Sequence, residues 1–265
     1  MQIIFIGGGN IAEAIFSKLE KLNLDIIVVQ KNIIKRNILA EKYPFIRFLS
    51  TLDFTPEDDD IVILALKPQD AKESCTNLPK IGGTIASVMS GITTDSLALW
   101  LNNSKIARIM PNTPAKLGLA VSGIYFSANI PSTDRQVILD IMASIGKAYI
   151  FDNEKFIDKI TATAGSAPAY VFYFIEAMTN TAIEEFGFTP EDALAITLQV
   201  FKGSIALIEN NPDIEVKQLR ANVTSKNGTT EQAINVFDKA KLKQIITEAE
   251  IACYKRAREL GNTFK

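Results

Sequence analysis

Met1-Gln2-Ile3-Ile4-Phe5-Ile6-Gly7-Gly8-Gly9-Asn10-Ile11-Ala12 opens the chain, and the reading of this stretch decides the fold. Ile3 to Ile6 form a short apolar run of the kind that becomes a buried strand. Gly7, Gly9 and Ala12 then match the spacing G-x-G-x-x-G/A where a helical pattern begins. Each position has a physical task there. Gly7 permits a tight turn, Gly9 lets the backbone approach a pyrophosphate, and Ala12 lets the helix pack closely, with the phosphates at the helix N-terminus. Asn10 and Ile11 complete the set expected at the cofactor. The bland alternative is an empty glycine turn, but its place directly after the first strand favours a dinucleotide site.

Outward from this stretch, apolar runs at Ile26 to Val29, Ile61 to Leu66, Thr84 to Val88 and Lys105 to Ile109 alternate with helical patterns. Such alternation means an α/β fold with a Rossmann-type doubly wound sheet. Gly118 to Ser127 and Lys147 to Phe151 are expected as edge strands, with a helix over Ser132 to Ser144 between them. After about residue 153 the strand signal fades, and three amphipathic stretches follow, Glu154 to Phe186, Pro190 to Glu209 and Leu242 to Leu260. Gly187 suits a helix C′ position, Thr189 an N-cap and Pro190 the first helical position. The expected division is a nucleotide-binding domain over 1–152 and an all-helical domain over 153–265. Tyr170, Phe172, Tyr173, Phe174, Met178, Phe201, Ile205 and Leu207 cover more than one helix face, so the helical domain is expected to form a homodimer, or a higher oligomer built from it. A self-contained bundle is the alternative.

Composition narrows the chemistry. Of 265 residues 47% are hydrophobic and the net charge is -2, with no basic stripe to follow a phosphate backbone, so nucleic acid is not an expected partner. No apolar run has the length of a membrane span, and no signal-peptide pattern is read at the start, which gives a cytoplasmic expectation. Cys75 and Cys253 lie far apart with no CxxC pair, and no metal site is expected. The chain has no histidine, which removes every mechanism that needs an imidazole. Reactions whose reactive atom is supplied by a cofactor remain open.

The cofactor can be specified further. In NAD-specific sheets an acidic residue stands about 20 residues beyond the glycines, on the ribose 2′-hydroxyl. Here that place reads Val28-Val29-Gln30-Lys31-Asn32, without a carboxylate. Lys31 and Asn32, with Lys35 or Arg36, could instead bind a 2′-phosphate, so NADPH is expected in preference to NADH. The alternative is that these cations only solvate a helix start. Leu66-Lys67-Pro68 ends an apolar strand abruptly, and ligands of open α/β sheets sit beyond such strand ends.

Several segments together resemble the pyrroline-5-carboxylate reductases. They are Phe5 to Ala12, Leu66-Lys67-Pro68-Gln69, Arg108-Ile109-Met110-Pro111-Asn112-Thr113-Pro114-Ala115, Gly165-Ser166-Ala167-Pro168-Ala169-Tyr170 and Val223-Thr224-Ser225-Lys226-Asn227-Gly228-Thr229-Thr230. The resemblance runs nearly the whole chain. It implies reduction of a cyclic imine, 1-pyrroline-5-carboxylate, to L-proline, and a substrate loop over Val223 to Thr230 contributed across a dimer. It also implies that Ser225 and Thr230 supply hydroxyls and that Gly228, Thr229 and Thr230 offer backbone amides to the substrate carboxylate. A glycine turn leading into a helix is an anion nest on physical grounds too. Simple capping is the alternative for Thr229 and Glu231, and the two roles can coexist. Lys226-Asn227 departs from the family's usual Pro-Gly, and Ala167 from its usual Gly.

Under that reading a protonated imine needs little activation, and Thr230 is the catalytic candidate, orienting the ring nitrogen by a hydrogen bond rather than donating the proton. Asn112 and Pro111 are expected to shape the nicotinamide pocket, while Glu154 and Asp158 only favour a helix N-terminus. Two other readings compete: a β-hydroxyacid dehydrogenase, which would need a lysine that Thr161 to Glu176 lacks, and a non-catalytic NADP(H)-binding sensor.

Overall fold

The computed structural model describes residues 1–263, with the side chains of 1–261. Eight strands form one sheet: β1 (Gln2–Ile6), β2 (Asp25–Val29), β3 (Arg47–Leu49), β4 (Ile61–Leu64), β5 (Thr84–Ser87), β6 (Ile106–Met110), β7 (Ala120–Phe126) and β8 (Gly146–Ile150). Their order is β3-β2-β1-β4-β5-β6-β7-β8, and every pair is parallel except β6 with β7. Chain order reverses between β1 and β4, which is the switch point where such sheets bind ligands.

The β-branched runs form strands because both of their faces are buried. Ile3 and Phe5 enter one core with α1 (Asn10–Phe16) and α5 (Ser132–Ile145), while Ile4 and Ile6 enter the other with α3 (Ala71–Thr76) and α4 (Thr94–Leu101). Alternate residues thus serve opposite layers, the arrangement that demands unbroken apolar strands. Between them, α2 (Ile33–Lys42) connects β2 to β3. Two strands differ from expectation. Arg47-Phe48-Leu49 has no apolar run to announce it, being a three-residue edge strand. β7 lies inside the sheet rather than at its edge, because the chain turns back after β6 and pairs antiparallel along it, leaving β8 outermost.

The stretch expected as one helix from Glu154 is three pieces: α6 (Lys155–Ile160), a π-helical turn (Thr161–Gly165) and α7 (Ala167–Glu184). Then follow α8 (Pro190–Glu209), α9 (Val216–Asn222), α10 (Thr229–Lys239) and α11 (Leu242–Thr263). Thr189 caps α8 by accepting from Asp192 N–H, and Gly187 takes φ +72, as its punctuation foretold.

The chain divides into two compact units, residues 1–166 with 251–265, and residues 167–250. Residues 153–166, which the sequence reading assigned to the helical part, cluster with the sheet. The first unit holds both cores. In the second, Ala193 and Thr197 are the buried residues among those described, while Phe172, Tyr173, Leu207 and other large apolar side chains are exposed. Among the described residues no helix is long and apolar enough to cross a membrane.

Candidate active site

The first half of the site begins at Gly7, where β1 ends. Its φ is +102, a region that L side chains rarely adopt, and a Cβ there would lie 2.6 Å from Ala65 O at the end of β4. Gly9 differs. A Cβ on it would meet nothing of the chain nearer than Ala65 O at 3.9 Å, so the chain itself leaves that space open. That open space fits close approach of a pyrophosphate. Ala12 is fully buried on the inner face of α1, while Asn10 is exposed and Ile11 half-buried at the helix start.

A cleft of about 510 Å³ opens beside this turn at the carboxyl ends of β1, β2 and β4, lined by Gly7, Gln30, Lys31, Thr51 and Leu66 among others. Of the expected cofactor residues, Gly7, Lys31 and Leu66 line it directly. Asn32 spends its side chain as the N-cap of α2, accepting from Lys35 N–H at 2.9 Å. Arg36 lies back against the end of β2, its Nη1 donating to Gln30 O at 3.0 Å. Lys67 is exposed, and Pro68 opens a 3₁₀ turn that leads into α3. Thr51 and Leu52 had no sequence signal, since they follow the unannounced strand β3.

Glu13, in the first turn of α1, is a buried carboxylate that the sequence reading did not single out. Its carboxylate accepts from Lys42 Nζ at 2.9 Å and Tyr43 OH at 3.1 Å, with Lys116 Nζ at 3.4 Å. Burial pushes its pKa up, but the hydrogen bonds from Lys42 and Tyr43 and the charges of Lys116 and Lys42 outweigh this and hold it below the usual carboxylate range.

Asn112 follows β6 and is 8% exposed. Its side-chain amide is committed to the backbone: Nδ2 donates to Ala164 O at 3.0 Å, and Oδ1 accepts from Val121 N–H at 2.9 Å. It shapes its surroundings by holding two segments together.

The other half of the expected site belongs to the second unit. Gly228 is the N-cap of α10, and its N–H donates to Ser225 O at 3.0 Å. A Cβ at Gly228 would fall 2.5 Å from Ser225 Oγ and 3.0 Å from Ser225 O, so a larger residue would have to turn the serine hydroxyl aside. Asn227 takes φ +60, a left-handed conformation that asparagine tolerates, so the departure from Gly at this position keeps the turn. Its N–H donates to Glu231 Oε2 at 2.8 Å, a capping arrangement. Gly228 and Asn227 thus have partners for their N–H groups, whereas Thr229 and Thr230 sit in the first turn, where the helix offers no acceptor. Ser225, Thr229 and Thr230 are all exposed.

A Rossmann-type sheet unit with a glycine turn at its switch point, followed by a helical unit, defines the class of two-part nicotinamide-dependent oxidoreductases. The family model described as "Pyrroline-5-carboxylate reductase dimerisation" matches residues 154–260, and one described as "NADP oxidoreductase coenzyme F420-dependent" matches residues 2–91. A pyrroline-5-carboxylate reductase of Vibrio alginolyticus is 35% identical over 99% of this chain and 98% of its own. The structure of one from Coxiella burnetii superposes with a TM-score of 0.82 at 32% identity, covering 98% of both chains. The fold is shared with the Plasmodium falciparum pyrroline carboxylate reductase, solved with NADP bound, at a TM-score of 0.85, 24% identity and 98% coverage of both. The chain belongs to the pyrroline-5-carboxylate reductase family, and is an NAD(P)H-dependent oxidoreductase.

Proposed function

We propose that this chain carries out the family's reaction, NAD(P)H-dependent reduction of 1-pyrroline-5-carboxylate to L-proline, with the residues placed as follows. The glycine turn Gly7 to Ala12 holds the pyrophosphate, and Lys31 faces the ribose 2′-phosphate, which makes NADPH the preferred form. Leu66, Lys67, Pro68 and the backbone of Asn112 border the cofactor further along the strand ends. Bound there, the reduced nicotinamide supplies the hydride for the C=N carbon.

The remaining work falls to the protein. N–H groups of Thr229 and Thr230 at the start of α10 bind the substrate carboxylate, with Ser225 and Gly228 shaping the nest. Thr230 Oγ1 orients the ring nitrogen, which carries its proton before binding. An unperturbed hydroxyl is too weak an acid to supply one, so fixing the ring and excluding water are the tasks left. The observation that carries this reading is the exposed first turn of α10, headed by Gly228 and followed by two hydroxyl residues. The protein acts as a homodimer through its helical unit. Support comes from the exposed Phe172 (64%), Tyr173 (72%) and Leu207 (57%), which a single chain leaves uncovered.

One assay tests the activity: NADPH oxidation on adding pyrroline-5-carboxylate, compared with 3-hydroxy acids plus NADP⁺ and with no substrate. Proline formation is expected. Turnover of 3-hydroxy acids instead, or cofactor binding with no product, would overturn it.

A further inference from the structure

Arginine is a costly residue for a buried strand, yet Arg108 sits in β6 between Ala107 and Ile109 with 2% of its surface exposed. Nη1 donates to Glu154 Oε1 at 3.0 Å and Nη2 to Asp158 Oδ1, while Nε has no hydrogen-bond partner among the described residues. Glu154 reaches further. It also accepts from Thr94 N–H at 2.9 Å and from the Thr94 hydroxyl at 2.8 Å. Thr94 is the first residue of α4, so this carboxylate joins β6 and the start of α4 to the start of α6.

Alternate residues along the same strand continue the attachment. Met110 Cε lies 2.8 Å from where a Cβ on Gly165 would stand, so glycine lets the π-helical turn approach the strand. Asn112 donates to Ala164 O. That carbonyl is available for a chemical reason: its α-helical donor would be the N–H four residues on, and residue 168 is proline, which has none. The turn meanwhile closes with Ser166 N–H donating to Thr161 O at 2.8 Å. Residues 108 and 110 of β6 and residue 112 just beyond it therefore meet residues 154–165 at three successive points.

Stability alone does not account for this arrangement. Burying an arginine and its partners costs several kcal/mol of desolvation, and well-packed apolar residues often serve as well or better. A π-helical turn inside a helix commonly marks a functional site. Substrates and cofactors of such sheets lie beyond the carboxyl strand ends. We infer that Arg108 is a positioning residue for hydride transfer: through Glu154 and Asp158 it sets the Thr161–Gly165 turn and the Asn112 backbone that border the nicotinamide. The inference rests on the reaction proposed above.

The test uses the full chain with Arg108→Lys, which keeps the charge but cannot span two carboxylates, and with Asp158→Asn, which keeps shape and an acceptor. Measured are NADPH Kd, kcat and KM for both substrates, the primary isotope effect with C4-deuterated NADPH, and the melting temperature. For Arg108→Lys, kcat should fall about tenfold or more, since a misplacement of about 1 Å can cost up to about a hundredfold. NADPH Kd should stay within about threefold, and the isotope effect should rise as hydride transfer becomes limiting. Asp158→Asn should show a smaller fall in kcat with the same rise, and it carries the test if Arg108→Lys does not fold. An unchanged isotope effect in the folded variants, or losses in Kd and kcat that only follow the melting temperature, would overturn the inference. A wild-type protein that does not reduce the imine overturns the reaction and this inference together, whereas active wild type with silent variants overturns this inference alone.

Discussion

The sheet unit and the helical unit are built from equally apolar sequence but bury it differently. Within the sheet unit, strands such as Ile3 to Ile6 and Ile61 to Leu64 are covered on both faces by helices of the same chain. α7 and α8 contact each other, yet they leave Phe172, Tyr173, Val200, Ile205 and Leu207 open. A single chain therefore completes the first unit and not the second. Under the proposed function, cofactor binding belongs to the unit that one chain completes, while the turn at Gly228 stands in the unit whose apolar faces a second copy would cover.

The strongest challenge to this contrast is to charge the uncovered faces. Phe172→Asp with Leu207→Asp should weaken self-association by roughly a millionfold, since each lost apolar side chain is worth about 2 kcal/mol and both count twice at a two-fold interface. Sedimentation over a dilution series measures this, and an unchanged assembly would end the contrast. Gly9→Val acts on the other side. It should cost about 3 kcal/mol of cofactor binding, roughly a hundredfold in Kd, because the added methyls enter the pyrophosphate space. Titration calorimetry with NADPH gives the value, and the oligomer should stay intact.

Thr230→Ala is expected to lower kcat/KM for the imine by about tenfold to a hundredfold, the worth of a hydrogen bond to a charged group, without touching NADPH affinity. Equal kcat/KM in steady-state assays would remove Thr230 from the reaction. Lys31→Asp should shift the NADPH-to-NADH preference by about tenfold through one exposed charge. An unmoved ratio would leave Lys31 as a solvated cation only. The smallest effect concerns pH. The depressed pKa of Glu13 means its contribution is present above the unfolded value, about 4.3, and is lost as pH falls through the lower folded value. Glu13→Gln should cost on the order of 1 kcal/mol at neutral pH and converge with wild type in acid. Melting temperatures from pH 3 to 7 would show this, and a constant gap across that range would contradict it.

What the sequence disclosed follows the same division. Glycines and β-branched runs act locally, so Gly7, Gly9, Ala12 and the apolar strands could be read directly. The glycine-headed start of α10 was readable for a similar reason, because Gly228, Thr229 and Thr230 are neighbours in the chain. What stayed hidden depends on distant partners. Asn112 advertised a donor and an acceptor, but nothing local told that Ala164 and Val121 would take both. Glu154 and Asp158 read as helix-start charges until Arg108 lay opposite them. The break of the expected long helix had a local sign in Gly165 and Pro168, which was read only as part of a family motif. Strand β3 had none, since three residues at an edge, one of them an exposed arginine and the other two half-buried, need no apolar run.

The division of the chain has a consequence for how it is made. Residues 251–261 rejoin the sheet unit, and there Gly91, at φ +78, meets the helix closely enough that a Cβ on Gly261 would lie 2.6 Å from its carbonyl oxygen. A nascent chain emerging from the ribosome completes domains in order where each is continuous. Here the surface of the first unit waits for the end of α11, so the whole of residues 167–250 must be synthesised before the nucleotide-binding unit can close.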